Sequence, residues 1–167
     1  IIEVAARKSL QEIFTELIFE PLELPSTYLH GYRNEEVSPA HIYYKTKPFA
    51  LDRAMKSFGP DGGIVSNVED SLKFLRSFME GKLFSDPATL ERMKNWKKIF
   101  FPFQYGLALM RFKLPRFFSP FSPLPELIGH SGSTSAFSFY SDVDRLYICG
   151  TLNQVENQGR PFRLVLK

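Results

Sequence analysis

The chain has 167 residues and a formal charge of +3, enough length for one ordinary domain with a real core. Its 21 lysines and arginines are scattered rather than run together, so no nucleic-acid footprint is expected. No apolar run approaches the roughly 20 residues of a membrane-spanning helix, so no transmembrane segment is expected.

No secretory signal pattern opens the sequence, and the compartment stays open. Ile1-Ile2-Glu3-Val4-Ala5-Ala6 starts apolar without a capping residue, and Phe162-Arg163-Leu164-Val165-Leu166-Lys167 stops inside an apolar-periodic pattern. Both ends are those expected of a piece of a longer protein. Ser9 followed by Glu12 is a capping box. It opens a helix with apolar positions Leu10, Ile13, Phe14, Leu17 and Ile18, which Pro21 closes. Residues 22 to 60 read as irregular, with strand-like pieces at Tyr28 and at His41-Ile42-Tyr43-Tyr44. His30 and His41 are eleven apart with no partner at ligand spacing, so no metal site is expected.

Gly59-Pro60-Asp61-Gly62-Gly63 is a turn, and no Gly-Lys-Ser/Thr follows to make it a phosphate loop. Ser66 and Glu69 form a second capping box before a helix that buries Leu72, Leu75, Phe78 and Met79, with Gly81 just past its end. Ser85-Asp86-Pro87 opens a third helix, running to about Trp96. Gln104 to Lys113 alternates as a strand. Four prolines between Pro115 and Pro125 exclude a sheet interior, and the aromatics among them place that loop on an apolar surface or beside a pocket. Ala136–Tyr140 and Leu146–Leu152 read as a hairpin turned by Asp142-Val143-Asp144. Cys149, the only cysteine, cannot form an internal disulfide. It reads as a small buried hydrophobe rather than a nucleophile.

Gly129-His130-Ser131-Gly132-Ser133 sits at the entrance of the strand Thr134–Tyr140. Gly132 has no Cβ, so a ligand or another backbone can approach it closely. Ser131 and Ser133 bring hydroxyls and backbone N–H groups that can serve an oxyanion. On pattern alone the two glycines are equally compatible with a plain turn into a strand.

The order helix, Asp61-Gly62-Gly63-Ile64-Val65-Ser66-Asn67-Val68-Glu69-Asp70, long helix, Gln104-Tyr105-Gly106-Leu107, then Gly129–Ser133 before a hairpin resembles the C-terminal half of the serine β-lactamase and penicillin-binding protein superfamily. Pro21-Leu22-Glu23-Leu24 and Thr27 are similar to the class C β-lactamase-like branch, which includes esterases and D-amino-acid peptidases. The resemblance covers nearly the whole chain. It implies an α+β fold, an antiparallel sheet flanked by helices, β-lactamase/transpeptidase-like and incomplete at the N-terminus, with residues 1–167 as a single-domain fragment. It also implies serine acyl transfer on a small-molecule ester, amide or lactam, with no cofactor.

By position, His130 matches the lysine of the third motif, where it would orient substrate or help proton movement. A histidine ordinarily titrates near neutrality, so pH dependence is expected where a lysine gives none. Ser131 matches the hydroxyl that contacts a polar group of the substrate, and Gly132 leaves space beside the strand. Ser133 matches the residue whose N–H completes the oxyanion hole; losing one such donor typically costs about 10²–10³ in rate. Phe117, Phe118 and Phe121 would stand near the mouth and favour an apolar acyl group, or merely pack on the body of the protein. The family's Ser-x-x-Lys nucleophile motif does not occur in the sequence, and the resemblance places it and the Tyr-centred second motif before Ile1. The chain alone is therefore expected to be inactive. The rival readings are an α/β-hydrolase elbow, disfavoured by Ser133 and the following strand, and a non-catalytic module on the same scaffold. The absent N-terminal strands would leave a sheet edge open to self-association.

Overall fold

The computed structural model describes residues 1–32, 39–50, 52–118, 125–156, 159 and 162. Helix α1 (Ile2–Ala6) ends on Arg7 in the left-handed conformation and buries none of its residues. Helix α2 (Leu10–Phe14) starts with the expected capping box. The Ser9 hydroxyl accepts from the Glu12 N–H, and the Glu12 carboxylate accepts from the Ser9 N–H at 2.7 Å. The buried face then departs from the α-helical expectation. Thr15–Phe19 is a turn of π-helix, and its wider turn moves the inward face on by one position. Phe19 is buried, whereas Leu17 is exposed.

The next segment holds three two-residue strands, β1 (Tyr28–Leu29), β2 (Tyr43–Tyr44) and β3 (Lys47–Pro48). It also holds an unexpected helix, α3 (Asp52–Phe58). Among its described side chains that helix half-buries only Ala54 and Met55, too little to write a periodic stripe into the sequence. The glycine-rich turn is a 3-10 turn over Gly59–Asp61. A Cβ on Gly63 would lie 2.9 Å from the Gly59 carbonyl oxygen, so these glycines serve to turn the chain. They lead into β4 (Ile64–Val65), antiparallel to β1.

Helix α4 (Val68–Met79) is capped one residue later than the expected Ser66–Glu69 box. Its cap is Asn67, which accepts from the Asp70 N–H at 2.8 Å. Leu75 is buried, Leu72, Phe78 and Met79 are half-buried, and Gly81 follows at φ +75°, where glycine carries no Cβ penalty. Asp70 is only 3% exposed, and its carboxylate accepts from the Ser26 N–H at 2.8 Å and the Thr27 hydroxyl at 2.9 Å. The first turn of α4 thereby anchors the loop before β1. Asp70→Ala strands the Ser26 N–H and leaves the Thr27 hydroxyl only its Ser66 partner, and is expected to cost about 1–3 kcal/mol in a urea melt. A loss below about 0.5 kcal/mol would contradict the anchoring role.

Helix α5 (Ala88–Met93) begins where Asp86 accepts from the Ala88 N–H. It stops short of Trp96 because β5 (Lys97–Phe100) follows. Gln104–Lys113, expected as one strand, is a hairpin of β6 (Phe103–Tyr105) and β7 (Met110–Phe112). The Gly106 N–H donates to the Leu109 carbonyl at 2.8 Å, and Ala108 sits at φ +56°. The alternation runs on through this turn, which is why pattern alone concealed it.

Strands β8 (Leu127–Ser131), β9 (Ala136–Ser141) and β10 (Leu146–Thr151) complete a six-stranded antiparallel sheet in the order β10-β9-β8-β7-β6-β5. The β9–β10 hairpin is the expected one. Strand β8 was not expected, because Leu127-Ile128-Gly129 does not alternate. It is covered on both sides, and doubly buried strands lose their polar face. Leu127 packs with Phe112, Phe137 and Phe139, while Ile128 joins Leu90 and Leu109 against Phe78, Met79 and Met93. Helix α4 lies over β9 and β10, with the Arg76 guanidinium 5.4 Å from the Tyr147 ring centre. The fold is α+β, an antiparallel sheet flanked by helices. Among the described residues, no helix is long and apolar enough to cross a membrane.

Candidate active site

His130 and Ser131 end strand β8, and Gly132–Ser135 turns the chain into β9. The motif therefore lies at the exit of one strand rather than at the entrance of the next. Gly129 is the residue that lets β8 reach this point. A Cβ there would collide with the Ser138 carbonyl oxygen and lie 2.9 Å from the Phe139 Cα. The start of β8 is held by Glu126, which pairs with Arg111 at 2.7 Å and Lys113 at 2.9 Å. Burial works to raise the Glu126 carboxyl, but the hydrogen bonds from Arg111 and Lys113 outweigh it and hold the group below its ordinary range. Its contribution to stability is thus present above the unfolded carboxyl's range, and is lost as pH falls through the lowered folded value.

The turn is fastened from several directions. The Gly132 N–H donates to the Ala136 carbonyl at 2.8 Å and the Ser135 N–H to the Gly132 carbonyl at 3.0 Å. Ser135 is fully buried at φ +61°, and its hydroxyl donates to the Gln154 carbonyl at 2.7 Å. The Gln154 N–H in turn donates to the Thr134 carbonyl at 3.1 Å. Ser133 is exposed at the tip, and its N–H has no hydrogen-bond partner among the described residues. Such a fixed, open donor suits an oxyanion.

His130 is exposed, and its Nε2 lies 3.0 Å from the Tyr105 hydroxyl, the two rings edge to face with centres 5.8 Å apart. Beside it is a cavity of about 440 Å³ between α4 and the end of the sheet. Phe74, Leu75, Phe78 and Met79 of α4 form one wall, with Ala108 and Leu109; Gly129, His130, Gly132, Ala136, Phe137 and Ser138 form the other. Ser131 and Ser133 are not among these lining residues. The Ser131 hydroxyl donates instead to the Met110 thioether at 3.8 Å, a weak acceptor that leaves the hydroxyl easily redirected. Phe117 is 74% exposed and does not line the cavity. The Phe118 side chain and Phe121 fall outside the described residues.

A larger hollow of about 570 Å³ beside α2 has no histidine, cysteine or serine in its wall. Cys149 is half-buried; burial pushes its thiol up against the opposing pull of the Ser138 hydroxyl, which suits an inert packing residue. Among the described residues, no group of three His, Cys, Asp or Glu side chains is placed to hold a metal ion.

A family model described as Beta-lactamase matches residues 1–164. The chain belongs to the beta-lactamase family. Its fold is similar to that of the D-amino acid amidase from Ochrobactrum anthropi SV3 in complex with D-phenylalanine. There the TM-score is 0.73 at 20% identity, over 99% of this chain and 53% of the amidase. It is also similar to the octameric penicillin-binding protein homologue from Pyrococcus abyssi, with a TM-score of 0.66 at 22% identity over 91% of this chain and 36% of that one. No curated protein sequence matches the chain. This beta-lactamase-family chain spans about half the length of the amidase.

Three parts of the candidate site in this beta-lactamase-family chain lay beyond sequence reasoning. Tyr105 meets His130 from another strand, Phe74 joins a cavity wall from the exposed flank of α4, and Ser135 pins the turn from a left-handed position. Only Phe74 carried a signal, its four-residue spacing from Phe78. The sequence also spells Tyr-x-Asn once, at Tyr32-Arg33-Asn34. Tyr32 is exposed and is not part of the cavity wall beside His130.

Proposed function

We propose that the end of β8 and the turn Gly132–Ser135 form one wall of an acyl-transfer site, in a serine hydrolase whose nucleophile comes from sequence outside this chain. The carrying observation is an exposed His130 beside an open, mostly apolar cavity, at a turn held rigid by Ser135. Family membership supports the same reading. In it, His130 orients the substrate or moves a proton, and the Ser131 hydroxyl contacts a polar group. Gly132 leaves room for the acyl chain, and the Ser133 N–H supplies half of an oxyanion hole. The substrate is an ester, amide or lactam. Its apolar part rests against Phe74 and Phe78. Outer strand β10 pairs only with β9 among the described residues, which supports a further part of this reading: that the β10 edge is covered by the rest of a longer protein or by a second copy.

A fluorophosphonate or penicillin probe tests the reading. On the longer protein, the expected adduct forms on a serine N-terminal to Ile1, and residues 1–167 alone stay unlabelled. An adduct on Ser131 or Ser133 would overturn the assignment of roles. A folded longer protein that takes no label would favour the non-catalytic module.

A further inference from the structure

We propose that Tyr105 is a positioning residue for His130: its hydroxyl donates to Nε2, fixing the ring's direction and leaving the neutral imidazole protonated on Nδ1. Tyr105 ends β6 and lies opposite Met110, which lies opposite Gly129. By register Tyr105 shares a face with Gly129, and His130, one residue on, alternates to the other. The two side chains therefore meet at the end of the sheet, where β6 stops and β7 starts. The hydroxyl and Nε2 are 3.0 Å apart, and the rings stand at 87° to each other. A phenol is the better proton donor of this pair and an imidazole nitrogen the better acceptor, which sets the direction of the bond.

The backbone beneath Tyr105 is well held. The next residue, Gly106, packs so closely on the Met93 carbonyl that a Cβ would collide with it, and the Leu107 N–H donates to the same carbonyl at 2.9 Å. His130 is exposed, so without this bond its ring would keep its rotamer freedom. Tyr105 does not belong to a Tyr-x-Asn pattern and does not line the cavity; it acts through His130 alone.

The functional meaning rests on the acyl-transfer reading above. With Nε2 engaged, the neutral ring offers Nδ1–H as its remaining polar group. His130 then presents a donor, as the lysine it stands in for would, rather than a free base.

The test needs no activity, so its outcome is separable from that of the acyl-transfer reading. Nitrogen-15 spectra of histidine-labelled chain, taken above the imidazole titration range, report the tautomer of each ring, and His130→Asn assigns the His130 signals. The expected result is a His130 that is mostly Nδ1–H. Tyr105→Phe keeps the ring and removes the hydroxyl, and should shift the ratio about tenfold toward Nε2–H, the scale of one hydrogen bond. The backbone amide spectrum of β7–β9 should stay as in the parent. A parent His130 that is mostly Nε2–H would overturn the proposal without recourse to the variant. So would a ratio unchanged by Tyr105→Phe.

Discussion

Gly129→Ala is expected to cost about 3 kcal/mol or more, because the new methyl has nowhere to go. It would meet the Ser138 carbonyl oxygen and the Phe139 Cα, both backbone atoms. A crowded side chain can change rotamer, but a crowded strand must separate from its neighbour or slip. Slipping by one residue would exchange the two faces of β8, driving Leu127 and Ile128 out of their respective cores. The internal control is Gly132→Ala, whose Cβ would have only the Ala136 carbonyl oxygen, at 4.0 Å. Urea melts should show Gly129→Ala strongly destabilised and Gly132→Ala near the parent. A Gly129→Ala loss below about 1 kcal/mol would show that β8 and β9 are not so closely apposed.

Phe139→Ala is expected to cost about 3–5 kcal/mol. Phe139 is fully buried among Phe112, Leu127 and Phe137, and its ring centre lies 5.3 Å from that of Phe162. Its place in the ladder is opposite Gly129 on one side and Ile148 on the other, so no neighbouring side chain can fill the space without moving a strand. The same melts measure it. A loss under about 1 kcal/mol would mean that the core collapses freely around the gap. Because Phe139 faces Gly129, the double variant should deviate from the sum of the single losses by at least about 0.5 kcal/mol.

Local chemistry was the legible part of this chain. The Ser9–Glu12 box, Gly81 after α4 and the β9–β10 hairpin each depend on residues a few positions apart, and each stands where the sequence puts it. The π-turn at Thr15–Phe19 was not legible, since nothing in Leu17 or Phe19 announces a wider turn. Strand β8 was hidden by its burial on both faces, and the β6–β7 turn by an alternation that continues through Gly106 and Ala108. At the site, Gly129–Ser133 could be picked out from residue types and from their order along the chain. Its rigidity could not, because Ser135 is fastened to Gln154, and His130 to Tyr105, by contacts that only the folded sheet creates.

On the proposed reading, Gly132 leaves its space for a substrate rather than for the fold. Gly132→Val, placed in the longer protein, measures this most directly. The side chain enters open space, so the melting midpoint should stay close to the parent's. The rate of acylation by an activated ester should fall by about 10²-fold, the scale of a misplaced reacting group. Parent-like acylation at unchanged stability would contradict the account.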